Sequence, residues 1–228
     1  MMTFVIPRLT PHAPRPLPLR KGCFITLEGP EGSGKSSQSR WVVRLLTRAG
    51  LSVVHLSDPG STTLGRRLRR VLLHAPVHPV PLTEALLFIG GRVQLVEERI
   101  RPALAKGQVV VCDRFHDATV AYQGFGGGLD VAWLDRLGRS AIHGVMPALT
   151  ILLDIPTASG FARLRRARDR MERKTLRFHR RVRQGYLTMA RREPKRFVVI
   201  DTTQSLAQVR RAIVHVVMGS LARHSLLR

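Results

Sequence analysis

Three glycines and a lysine fall within residues 29–35, directly behind the apolar run CFITL and ahead of SSQSRWVVRLLTRAG, which has helical spacing. Gly29-Pro30-Glu31-Gly32-Ser33-Gly34-Lys35-Ser36 satisfies G-x-x-x-x-G-K-[ST] without a mismatch, and it stands between a strand and a helix as that pattern requires. The glycines let the backbone turn sharply and aim successive N–H groups inward, which makes an anion nest at a helix N-terminus. Lys35 then reaches the β- and γ-phosphates, and the Ser36 hydroxyl is a ligand for Mg²⁺. Gly29, Glu31, Gly32, Ser33, Gly34, Lys35, Ser36 and Ser37 are therefore expected to form a nucleoside-triphosphate site. A ligand-free glycine-rich turn is the plainer alternative, and the flanking strand and helix weigh against it.

Strand and helix patterns alternate along the rest of the chain. LSVVHLS, QVVVCDRF, LTILLDIP and RFVVIDTT are short apolar strands, four to six residues at their cores. TLGRRLRRVLLH, PLTEALLFIGGRVQLVEERIRPALAKG and the very basic run 158–192 read as helical. Strands buried on both faces and separated by helices predict a parallel sheet covered on both sides. The expected fold is α/β, a P-loop NTPase three-layer sandwich. No repeat or second core is visible, so residues 21–228 read as one domain. Residues 1–20 hold five prolines and no acidic residue, and they read as a flexible extension.

Charge and cysteines bound the environment. Lys and Arg number 38 against 15 Asp and Glu, a net +23 that predicts attraction to polyanions. Nucleotides, nucleic acid and an acidic membrane face all satisfy that attraction, as does an Arg-rich codon bias with no functional meaning. No apolar run approaches the eighteen or so residues that cross a bilayer, and no secretory signal is apparent. Cys23 and Cys112 lie in apolar strand stretches and read as buried reduced thiols, in keeping with a cytoplasmic location.

Three further stretches bear on what receives a phosphate. VVVCDRF ends a strand in Asp113-Arg114, at the carboxyl edge where ligands of such sheets gather. An acid there can support Mg²⁺, and an Arg can clamp a phosphate bidentately; a buried ion pair is the other reading. LLFIGGR sets Phe88 and Arg92 four apart on one helical face. That pairing suits stacking on a base with hydrogen bonds to its edge, or else a core ring beside a surface cation. ATVAYQG offers Thr119, Tyr122 and Gln123 just past a strand end, where a base or sugar can lie.

Taken together, FITLEGPEGSGKSSQ, DPGSTTLGRRLRRVLL, EALLFIGGRVQLVEERIRPALAKGQVVVCDRFHDATVAYQG, PALTILLDIP and RVRQGYLTMARREPKRFVVID resemble the bacterial thymidylate kinase family in order and spacing. The resemblance implies transfer of the γ-phosphoryl group of ATP to dTMP, giving dTDP, with ATP as donor and Mg²⁺ as metal. It implies that Lys35 and the loop amides hold ATP, that Ser36 and Asp113 support the metal, and that Glu31 sits near the acceptor sugar and phosphate. It further implies Phe88 stacked on thymine, Arg92 on its edge and Arg114 on the acceptor phosphate. Thr119 would face the base, and Tyr122 would pack on the deoxyribose where a 2′-hydroxyl collides. Relatives of this type carry an acid in the loop and supply the missing cation from a lid. Residues 161–183 hold eleven Lys or Arg, among them Arg163, Arg165, Arg166, Arg168 and Arg170. Arg166 and Arg170 are taken as the catalytic pair. A homodimer through helices around residues 84–105 is implied as well, with no membrane partner.

The chain departs from that pattern in places. SDPGST stands where Arg-Glu-Pro-Gly-Gly-Thr is usual, so Ser57 replaces an acceptor-binding Arg and Asp58 a Glu. Gly91 stands where an Asp is usual, and Ala118 where a Ser is common; Arg66, Arg67 or Arg69 are the candidates to restore the lost charge. The second reading is therefore a P-loop protein of altered acceptor chemistry that serves as a nucleic-acid or polyanion binding module.

Overall fold

A computed structural model of the chain describes residues 22–74, 76, 78–164 and 169–223. The extension read over residues 1–20 lies outside them. Five strands form one parallel sheet in the order β2-β3-β1-β4-β5. They are β1 (Cys23–Glu28), β2 (Val53–Ser57), β3 (Val109–Asp113), β4 (Leu149–Asp154) and β5 (Phe197–Asp201), the five stretches expected from the apolar runs.

Side chains alternate across the sheet because the strand repeat is two residues. In β1, Ile25 and Leu27 face a core shared with Val42 and Leu46 of α1 (Lys35–Arg48) and with Ile213 and Val217 of α9 (Leu206–Arg223). Phe24 faces the other way, against Val110, Cys112 and Phe115. That second layer is closed by Leu95 of α3 (Pro81–Leu95), which runs through a π-helical turn (Val96–Ile100) into α4 (Arg101–Ala105). Leu72 of α2 (Thr63–Leu73) and Val182 and Tyr186 of α8 (Leu176–Arg192) cover the sheet beside it. Both cysteines are free and buried, as expected. No helix among the described residues is long and apolar enough to cross a membrane.

The long basic run is not one helix. α7 (Thr157–Ala162) stops early, and α8 begins only after Thr175, whose hydroxyl accepts from the Phe178 N–H at 3.2 Å. Arginines recurring on all sides of the run blur the 3.6-residue period, so the cap is the decisive local signal. α6 (Val131–Ala141) was not anticipated either; Asp130 caps it by accepting from the Trp133 N–H at 2.6 Å. Between β3 and α6 lie α5 (His116–Thr119) and a second π-helical segment (Val120–Gly126). This segment carries Tyr122 and Gln123, both buried.

Candidate active site

The glycines of the loop are required by close approach. A Cβ on Gly32 would lie 1.9 Å from the carbonyl oxygen of Gly160, and one on Gly29 2.3 Å from that of Leu153. Both glycines, and Gly34 at the N-cap of α1, have positive φ. The loop thus wraps onto β4 and α7 and delivers Lys35 and Ser36 to the first turn of α1.

A cavity of about 680 Å³ opens over the carboxyl edge of the sheet. Glu31, Gly32, Gly34, Lys35, Ser36 and Ser37 line its loop side. Phe88, Arg92, Asp113, Arg114, Thr119, Tyr122 and Gln123 line much of the rest, so residues from four separate stretches meet in one space. Gly29 and Ser33 stand behind the wall: the Gly29 carbonyl accepts from Arg114, and Ser33 Oγ accepts from Lys35 Nζ at 3.4 Å.

Two acids anchor this geometry. Ser36 donates to Asp113 Oδ2, joining the helix N-terminus to the end of β3. Arg114 has φ 66, and its Nη2 reaches Glu31 Oε1 at 3.0 Å and the Tyr122 hydroxyl at 3.1 Å. Its ion pair is therefore with the loop carboxylate rather than with neighbouring Asp113. Tyr122 also donates to Glu31. Burial would raise the Glu31 carboxyl, but Arg114 and Lys35 outweigh it and hold the group down at about 2. For Lys35 the balance goes the other way: burial, then Arg114, lower its ammonium to about 8 against the pull of Glu31 and Asp113.

Arg92 is the most buried surprise. It is 1% exposed, not a surface cation, and its Nε donates to Asp58 Oδ2 at 2.5 Å while Nη2 donates to Thr119 Oγ1 at 2.9 Å. Among the described residues, Arg92 Nη1 and Asp58 Oδ1 have no hydrogen-bond partner, and both side chains line the cavity. Phe88, on the same face of α3, is half-buried against the apolar cluster that holds Leu72, Tyr122 and Phe178, and it lines the same space.

The departures from the resembled pattern have structural consequences. Ser57 folds into the β2–α2 turn, its N–H donating to Ser61 Oγ at 2.7 Å. Of the three compensating candidates, Arg69 lines the cavity, with Nη1 on the Pro59 carbonyl at 3.1 Å; Arg66 turns to Thr63. A Cβ at Gly91 would lie 3.1 Å from Leu68 Cδ1, so α2 occupies the room a larger side chain would need.

The lid arginines divide. Arg165, Arg166 and Arg168 lie outside the described residues. Arg163 lines the cavity and donates from Nη2 to the Thr202 carbonyl at 2.9 Å. Arg170 is turned toward α2 and α3: its Nε donates to the Leu72 carbonyl at 2.7 Å and its Nη2 to Glu84.

Sequence reasoning passed over Asp58 as a partner for Arg92, and over Glu28. Glu28 is fully buried at the end of β1, accepting from the Phe115 N–H at 2.6 Å and from the Tyr186 hydroxyl at 2.8 Å. Burial and then Asp117 push its carboxyl upward. A charged residue closing an apolar strand was the available signal in both cases.

The loop amides and Lys35 can hold a triphosphate, and Ser36 with Asp113 offers the hard oxygen donors that magnesium prefers. No group of three or more His, Cys, Asp or Glu placed to hold a metal occurs among the described residues.

Residues 27–213 match the sequence profile of the family described as thymidylate kinase. A thymidylate kinase of Deinococcus radiodurans is 46% identical, the alignment covering 82% of this chain and 91% of that protein. One from a Synechococcus strain is 48% identical over 82% of this chain and 89% of that protein. The crystal structure of thymidylate kinase from Ehrlichia chaffeensis superposes with a TM-score of 0.72 at 32% identity, covering 87% of this chain and 99% of that one.

Proposed function

The chain belongs to the thymidylate kinase family, and on that premise we propose that its cavity carries out transfer of the γ-phosphoryl group from ATP to dTMP, giving ADP and dTDP. The observation that carries this reading is the meeting of the phosphate loop with Phe88, Arg92, Arg114 and Tyr122 around one space.

The residues divide the work by charge. Lys35 and the amides of Gly32 and Gly34 hold the β- and γ-phosphates of ATP, and Ser36 and Asp113 hold a magnesium ion, which when bound draws charge off those phosphates. Phe88 stacks on the base of dTMP. Arg92 stands at its edge as a donor. Arg114 and Arg69 meet the acceptor phosphate, and Tyr122 closes the deoxyribose side. A phosphate oxygen of dTMP attacks the γ-phosphorus as the bond to the β,γ-bridging oxygen breaks. The attacking oxygen is already anionic at neutral pH, so no strong base is needed. The barrier is the approach of two anions, and positioning with charge neutralisation lowers it. Arg163 stands at the rim as a cation for that approach, with Arg166 in the same stretch of sequence.

The direct test is ADP release with dTMP, dUMP, dCMP and AMP as acceptors. Turnover is expected with dTMP and more weakly with dUMP, which lacks one methyl worth about 1–3 kcal/mol. ATP turnover with none of the four, together with tight salt-sensitive DNA binding, would replace this reading with the polyanion module. Phe88→Ala is expected to raise KM for dTMP by roughly ten- to hundredfold, the worth of one base stack, with KM for ATP within twofold. Equal effects on both substrates would remove Phe88 from the base pocket.

A pH dependence follows from Lys35. Its ammonium titrates near 8 in the free protein, and bound phosphates favour the protonated form. ATP affinity should therefore hold below pH 8 and weaken above it, approaching tenfold per pH unit. Titration calorimetry that finds a flat Kd from about one pH unit below 8 to about one unit above it would contradict contact between Lys35 and the phosphates.

The same reading takes residues 21–228 as one catalytic domain in the cytoplasm. It pairs two copies through the helical face where Leu82 and Leu86 of α3 are exposed, an association that equilibrium sedimentation reads directly.

A further inference from the structure

Glu84 is a buried carboxylate set behind the cavity wall. It is 2% exposed and lies in the first turn of α3, one and two turns ahead of Phe88 and Arg92. Its Oε1 accepts from Gln123 Nε2 at 2.8 Å, and its Oε2 accepts from Arg170 Nη2. Lys174 Nζ lies 3.7 Å from Oε1. A carboxylate beside two cations serves as an acceptor, and a carboxamide has one donating and one accepting end. The contact with Glu84 therefore commits Gln123 through its NH₂ group. The carbonyl oxygen is the end left for a ligand, and Gln123 lines the cavity.

Arg92 stands in the same cavity with only donors to offer, since a guanidinium has no acceptor. A donor at Arg92 and an acceptor at Gln123 fit a pyrimidine with a carbonyl at C4 and an N–H at N3. A 4-aminopyrimidine presents the opposite pattern, a donor at C4 and an acceptor at N3. Were the Gln123 amide reversed, its NH₂ would face N3 and the distinction would weaken. We infer that Glu84 is a positioning residue that locks the Gln123 carboxamide with its oxygen toward the base, and so selects 2,4-dioxopyrimidine monophosphates over 4-aminopyrimidine ones. This rests on the acceptor site proposed above, and it assigns the selection to a group that touches no substrate.

The test is equilibrium binding of dTMP and dCMP to the full chain by calorimetry, with ATP binding as an internal control. Glu84→Gln keeps the shape but lets the Gln123 amide turn either way. The dTMP-to-dCMP affinity ratio should fall roughly tenfold, the worth of one hydrogen bond exchanged for a mismatch, while ATP affinity stays within twofold. Lys174→Met removes a neighbouring cation, leaves the amide contact in place, and should leave the ratio within twofold. In a Gln123→Leu background Glu84→Gln should have no further effect on the ratio, because the two act through one contact. If Glu84→Gln alone does not fold, Glu84→Gln with Lys174→Met removes opposite charges together and is read in the same way. A ratio unchanged in the folded Glu84 variant, or lowered equally with Gln123 absent, overturns the inference. Wild-type protein that binds neither nucleotide overturns the acceptor reading beneath it, an outcome distinguished by the wild type alone.

Discussion

Lys35→Ala lowers kcat for phosphoryl transfer by about three orders of magnitude, with the folded state retained. The size follows from removing a cation aimed at the charge that develops on the transferring phosphate. In the free protein Lys35 Nζ donates to the Pro30 carbonyl at 2.7 Å, so the side chain is already drawn back along the loop it serves. Stability should not suffer. Burial and then Arg114 lower the ammonium from 10.5 to about 8, so at neutral pH the folded state holds this proton less readily than the unfolded chain. Removing the group removes that cost, and Tm should stay level or rise. Steady-state kinetics and thermal unfolding on one preparation check both halves. An unchanged kcat would take Lys35 out of the phosphate site.

Arg114→Met should be nearly as damaging, and for two separable reasons. The guanidinium pairs with Glu31 at 3.0 Å and braces Tyr122 at 3.1 Å, in a backbone conformation with φ 66. Its loss removes a cation from the cavity, which should reduce kcat by roughly 10²–10³. It also strands a carboxylate that is 9% exposed, and breaking such a pair from one side costs about 3–5 kcal/mol. Adding Glu31→Gln should return most of the stability and none of the rate. In the wild type Glu31 is depressed from 4.5 to about 2. Its stabilising contribution is complete above pH 4.5 and is lost as pH falls toward 2; without Arg114 that loss should move to higher pH. Urea unfolding across acid pH for the wild type, single and double variants measures this. A double variant no more stable than Arg114→Met would refute the account of Glu31.

Much of this site is legible in the chain because its pieces are local. The phosphate loop depends on glycines within six residues, each needed for a backbone path that the motif itself describes. Asp113 and Arg114 end an apolar strand, and such ends collect at one edge of any parallel sheet. Phe88 and Arg92 share a face of α3 by helical spacing alone. What the spacing leaves undecided is their depth, and there the plain expectation of a surface arginine fails: Asp58 lies 34 positions away in sequence and reaches Arg92 only after α3 packs against the β2–α2 turn. The long basic run misleads for a related reason, since arginine favours helix almost everywhere and conceals the cap at Thr175.

The order of residues alone determined a parallel sheet, a phosphate loop and the list of side chains able to meet around it, because those depend on contacts a few positions apart and on a period of two or of 3.6. Which carboxylates the site groups Arg92, Arg114 and Tyr186 face was decided only by the assembled tertiary structure. Arg114 bridges 83 positions to Glu31, and Tyr186 bridges 158 to Glu28. Burial makes an unpaired charge costly, so the partners are those that packing brings within reach, and no local pattern records them.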